Sequence, residues 1–81
     1  MGKVLTRLKV FPQENQDLEE LKARVEKVEG FNTGKIEDYV FGQKILIASF
    51  ICNDGENKDY EEIVKQVQGV SEVQVEEVGL L

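Results

Sequence analysis

The chain has 81 residues, 41% of them hydrophobic, and its 16 acidic and 10 basic side chains give a formal charge of −6. This length supports one domain, residues 1–81, with no room for a second core. The acidic balance argues against direct nucleic-acid binding, which needs an excess of Lys and Arg, and no run approaches the roughly 20 apolar residues that span a bilayer.

Residues 3–11 alternate, with Val4, Thr6, Leu8 and Val10 on one face and Leu5, Arg7, Lys9 and Phe11 on the other. This is the period of a strand, and the first set is expected to face the core. Pro12 ends the strand because it has no N–H for the ladder. Asp17 and Glu20 have capping-box spacing, and Leu18, Leu21, Val25 and Val28 follow at helical spacing with Gly30 as the stop. Residues 33–40 resume extended structure and read as an outer strand. Beyond Phe41-Gly42, residues 43–52 are apolar on both faces and read as the most buried strand. Asn53-Asp54-Gly55 is a turn. Asn57 or Asp59 then caps a second helix with Tyr60, Ile63, Val64 and Val67 inward and Gly69 as its stop. Residues 70–78 carry Val73 and Val75 in strand phase, whereas Val78 is out of phase, which predicts an end or a bulge near Glu76-Glu77.

Two strand–helix–strand halves joined at Phe41-Gly42 predict an α+β fold, the ferredoxin-like βαββαβ sandwich, with a four-stranded antiparallel sheet and two helices on one face. That scaffold hosts many unrelated functions, so it does not name one.

The residue inventory excludes several chemistries. With no His and one Cys, the usual zinc and copper sites and the Ser/His/Asp and Cys/His nucleophiles cannot be assembled. No phosphate loop is present. Asp54-Gly55-Glu56 lacks the ligand spacing of a calcium loop and reads as a turn. Glu19, Glu20, Glu61 and Glu62 fall in first helical turns, where they favour the helix dipole. The expectation is a protein that is not an enzyme and holds no metal or cofactor. A single cysteine, Cys52, fits a reducing cytoplasmic setting and reads as a small buried hydrophobe. Met1-Gly2-Lys3-Val4-Leu5-Thr6 satisfies a loose myristoylation pattern, but a strand start accounts for the same residues.

The middle third carries a more specific signal. Lys35-Ile36-Glu37-Asp38, then Phe41-Gly42, then an apolar strand closing on Cys52-Asn53-Asp54, resembles the guanine-nucleotide exchange domain of translation elongation factor 1-beta. Leu8-Lys9-Val10-Phe11-Pro12 and Asp17-Leu18-Glu19 look like that family's first strand, proline exit and acidic helix start. Gly69-Val70-Ser71-Glu72-Val73-Gln74-Val75 looks like its last helix-to-strand passage. The resemblance runs in order over essentially the whole chain, and a start at Met1 with no upstream module matches the short archaeal form. It implies a GTPase partner, elongation factor 1-alpha, in its GDP-bound and nucleotide-free forms, with the exchange factor acting as a monomer.

By this resemblance Phe41 inserts between helices of the GTPase domain and disturbs its phosphate loop and magnesium site. Gly42 permits the turn and Lys44 matches a basic position after it. Leu80 and Leu81 read from the residues themselves either as a frayed apolar tail or, because exposed they would cost solubility, as the rest of the expected partner-binding set. Longer eukaryotic relatives carry a penultimate Lys that reaches the magnesium site, whereas this chain reads Gly79-Leu80-Leu81 with no Lys after Lys65, so that step is not carried over. From the residues alone, Phe41 reads first as a core aromatic at the end of the sheet, with Gly42 needed for a positive φ, and Lys44 reads equally as a solvated strand-end charge. Two other functions remain open: a small-molecule-binding regulatory module on the same fold, which the absence of Gly from residues 11–17 disfavours, and an RNA-binding domain using Phe11 and Arg7, which the charge opposes.

Overall fold

The computed structural model describes residues 2–56 and 58–81. Its elements run β1 (Lys3–Pro12), α1 (Leu18–Val25), β2 (Phe31–Asp38), β3 (Lys44–Asn53), α2 (Tyr60–Lys65) and β4 (Val70–Leu80). All strand pairings are antiparallel and the spatial order is β2-β3-β1-β4. This is the ferredoxin-like sandwich, with the first strand in the middle of the sheet and the second and fourth at its edges.

The alternation in β1 sorts as its pattern dictates. Thr6, Leu8 and Val10 are buried beneath the helices, while Arg7, Lys9 and Phe11 lie half-buried on the open face. Leu21 and Val25 of α1, Tyr60 and Val64 of α2, and Leu46, Ala48 and Phe50 of β3 close the core, with Leu18, Val28 and Val67 packed against it. Phe50 sits at its centre, stacked on Tyr60 at 4.8 Å and 14° and meeting Phe31 edge-on at 5.8 Å and 81°. Offset and edge-on pairs of this kind add to the burial of the rings themselves.

Several expected boundaries and orientations change. The outer strand β2 begins at Phe31 and ends at Asp38, because the chain enters its turn at Tyr39. Asp17 caps α1 by accepting from the Glu19 N–H at 2.9 Å, and Asp59 caps α2 by accepting from the Glu62 N–H at 3.2 Å. The alternative cap, Asn57, lies outside the described residues. Both helices end before their glycines: α1 closes at Val25 and α2 at Lys65, and a further turn leads to Gly30 and Gly69 with φ of 94° and 95°. Those glycines therefore serve the entry into the next strand. Ile63 was expected inward but is 40% exposed. With only six residues, α2 turns a narrow stripe to the sheet, and Tyr60 and Val64 fill it.

The irregularity expected near Glu76-Glu77 is a bulge. Leu8 pairs with Val75 and Arg7 with Glu77, so two residues of β4 stand opposite one of β1. The extra residue keeps Val78 and Leu80 opposite Thr6 and Val4, on the helix side of the sheet. Were Glu76 instead paired in a regular, bulge-free ladder, the change of phase would carry both to the open face. The ladder thus continues through Leu80, two residues past the expected end.

Candidate partner-binding site

β2 and β3 are joined by a tight loop, Val40-Phe41-Gly42. The Tyr39 N–H donates to the Gln43 carbonyl at 2.6 Å, and the Gln43 N–H donates to the Val40 carbonyl at 3.1 Å. The loop closes over three residues by placing two consecutive ones in the left-handed region, Phe41 at φ 58° and Gly42 at φ 74°. Glycine takes that conformation freely, whereas a side chain there costs about 1–2 kcal/mol.

The ring of Phe41 recovers nothing from packing, since its relative exposure is 102%. The core-aromatic reading of Phe41 is therefore overturned. A large apolar ring held in a strained conformation and projected wholly into solvent is the feature of this molecule that folding itself does not explain. Lys44 lies beside it at the start of β3, exposed and paired in register with Asp38. A Cβ added at Gly42 would meet nothing within 4 Å. The glycine is thus required by its φ, not by crowding.

Tyr39 anchors the base of this loop, and the sequence reading did not single it out. Its ring meets Phe11 edge-on, with centroids 5.3 Å apart and an interplanar angle of 80°, and the Lys9 ammonium lies 5.8 Å from its centroid. The group sits on the open face at the end of the sheet that carries the loop. Ile45 on that face is only 2% exposed although no helix covers it. The available signal was Phe11 itself, an aromatic at the outward phase of β1 with no helix to pack against.

Leu80 and Leu81 are not brought to Phe41. β2 and β3 meet at the end of the sheet where β1 finishes and β4 starts, whereas Leu80 pairs with Val4 and the Leu81 N–H donates to the Lys3 carbonyl at 2.8 Å. The expected site residues therefore divide between the two ends of a molecule whose longest dimension is 41 Å. Leu80 and Leu81 are 72% and 68% exposed, and Val75 and Val78 are exposed on the same strand. Beside them a cleft of about 270 Å³ is lined by apolar Val4, Val75 and Val78 and by polar and charged groups that include Asp54, Lys58 and Asp59. Cys52 is half-buried there, less enclosed than expected.

Among the described residues, no group of three or more His, Cys, Asp or Glu side chains could hold a metal ion. No helix among them is long and apolar enough to cross a membrane. Among the described residues, two shifted titratable groups lie at the end remote from Phe41. Burial pushes the Tyr60 phenol above its ordinary 10.0, and the hydrogen bond to Glu29 raises the Lys58 ammonium above 10.5.

Fold and site together define a ferredoxin-like domain that presents a bare aromatic at a hairpin tip and a second apolar area at the opposite end. Residues 5–81 match the family model for the EF-1 guanine nucleotide exchange domain, and the chain belongs to that family. It is similar to proteins named elongation factor 1-beta from three archaea. The Staphylothermus marinus protein is 41% identical over 86 residues, covering 96% of each chain. That of Halorubrum lacusprofundi is 35% identical over 91 residues and covers all of both chains. The Methanococcoides burtonii protein is 37% identical over 86 residues, covering 98% of this chain and 97% of its own.

Proposed function

We propose that this chain is the nucleotide-exchange factor of a translational GTPase, elongation factor 1-alpha, and that it promotes GDP release so that GTP can rebind during elongation. The observation that carries this reading is the full exposure of a strained Phe41 at the hairpin tip of a domain belonging to the exchange family. The chain acts as a cytoplasmic monomer and catalyses no bond chemistry. It binds the nucleotide-free GTPase more tightly than the GDP-bound one, and linkage then requires GDP affinity to fall by the same factor.

Phe41 supplies contacts made only in the open state of the GTPase. Gly42 allows the turn that presents it, and Lys44 adds a positive charge beside it. Leu80 and Leu81 form a second contact, so a partner engaging both sets spans the long axis of the molecule.

The test is release of a fluorescent GDP analogue from an archaeal elongation factor 1-alpha with catalytic amounts of this protein. Strong acceleration is expected, with a large loss in Phe41→Ala at unchanged stability. No acceleration by the folded wild-type protein on an active GTPase would overturn the function. Full acceleration by folded Phe41→Ala would overturn the role of the ring.

A further inference from the structure

We infer that Tyr39 is a positioning residue for Phe41, and that the Lys9–Tyr39–Phe11 group on the open face of the sheet holds the hairpin tip in its presenting conformation. The inference rests on the exchange reading only for its consequence, since the geometry stands by itself. Phe41 and Gly42 occupy the left-handed region in succession, and neither the exposed Phe41 ring nor the space around Gly42 offers packing to hold them there. A strained conformer persists only where its surroundings over-determine it.

Here the restraint is at the loop base. The Tyr39 N–H closes the loop onto Gln43 at 2.6 Å, while the Tyr39 ring is fixed edge-on against Phe11 of the central strand, with Lys9 above it. Backbone closure and ring packing act on the same residue, so the edge strand cannot swing the loop without breaking a contact to the sheet centre. Val40 is exposed and adds no comparable anchor. Tyr39 itself is half-buried in this group, which makes it part of the support and leaves Phe41 as the presented ring.

A restraint of this kind has a specific kinetic signature. When the presenting conformer becomes a minor one, the factor binds more weakly in proportion to its population, but a bound complex still exchanges at the full rate. Loss of Phe41 removes the open-state contact itself and lowers the maximal rate.

The experiment pairs backbone relaxation at the Phe41 and Gly42 amides with exchange titrations on fluorescent-GDP-loaded elongation factor 1-alpha. For Tyr39→Ala, the order parameters at both amides are expected to fall from about 0.85 to below about 0.6. The factor concentration for half-maximal acceleration should rise about fivefold with the maximal rate unchanged. Tyr39→Phe keeps the ring and should match the wild type in both respects. In a Phe41→Ala background, Tyr39→Ala should add no further loss. Unchanged order parameters in Tyr39→Ala overturn the inference. So does an equal defect in Tyr39→Phe, or an additive loss in the double variant, either of which makes Tyr39 a direct contact. Should Tyr39→Ala not fold, Phe11→Leu removes the same edge contact from the neighbouring strand and is read identically. If Phe41→Ala leaves exchange intact, the exchange reading fails while the order parameters still decide whether Tyr39 holds the loop.

Discussion

The Tyr60 hydroxyl closes over Gly30, so that a methyl group placed on Gly30 would overlap it. Gly30 has φ of 94° and its carbonyl accepts the Ile51 N–H at 2.8 Å, while the Tyr60 hydroxyl donates to the Ile51 carbonyl at 3.5 Å. Entry into β2, the last residues of β3 and the start of α2 therefore meet at one point. Gly30→Ala should destabilise the fold by about 3 kcal/mol, combining a left-handed side chain with overpacking. Urea unfolding measures this. Adding Tyr60→Phe removes the overlapping oxygen and should recover part of the loss, a coupling that a purely conformational cost would not produce.

Stability should fall in alkali by a route that runs through the same tyrosine. Burial raises the Tyr60 pKa above 10.0, so the unfolded chain ionises first and, above that pH, binds fewer protons than the native state. The contribution is complete below the unfolded value and is lost as pH rises toward the folded one. Lys58 acts in the same direction, because the hydrogen bond from its ammonium to Glu29, at 3.3 Å, favours the charged form. Urea midpoints should be level from about pH 7 to 9 and decline above about pH 10, with a shallower decline in Tyr60→Phe.

Phe41→Gly should separate stability from activity. The substitution releases the left-handed strain at Phe41 and discards no buried surface, offset by the greater freedom of glycine in the unfolded chain. The expected net change is between zero and about 1 kcal/mol of stabilisation, read by thermal or urea unfolding. Exchange should fall at least as far as in Phe41→Ala. Marked destabilisation would mean that the ring packs on the fold.

Deleting Glu76 should be tolerated. Because Glu77 already pairs with Arg7 and Val75 with Leu8, removal of the extra residue leaves every other pairing in register. The Arg7–Glu77 ion pair, 2.7 Å and solvent-exposed, should survive, and such a pair contributes at most about 1 kcal/mol. Cooperative unfolding within about 1 kcal/mol of the wild type is expected from the loss of one bulge.

The periodicities of Val4 to Val10 and of Leu18 to Val28 made the order of elements, the sheet and the core readable from the sequence, because burial of one face imposes them directly. The phase error at Val78 announced the bulge for the same reason. Ile63 misled because a helical spacing does not reveal that a six-residue helix has room for fewer inward positions. The conformation of Phe41 was not legible: its φ belongs to a three-residue loop closure, and the bare residue type argues against it. Tyr39 escaped notice because its packing depends on Phe11 across the sheet, a relation set by topology. The separation of Phe41 from Leu80 follows from strand direction alone, once the sheet order is known.

The placement of β1 between β3 and β4 also constrains how the molecule is made. Within this domain β1 has no hydrogen-bonding neighbour until β3 is synthesised, and its second neighbour, β4, comes later still in the element order. The sheet cannot be completed while β4 remains in the exit tunnel. Folding is then governed by the search that joins distant segments, a step on the order of milliseconds to seconds for topologies with such long-range pairing. During that interval β1 presents a row of unpaired backbone N–H and C=O groups, and the molecule's exposure to misassembly is greatest before β4 is free.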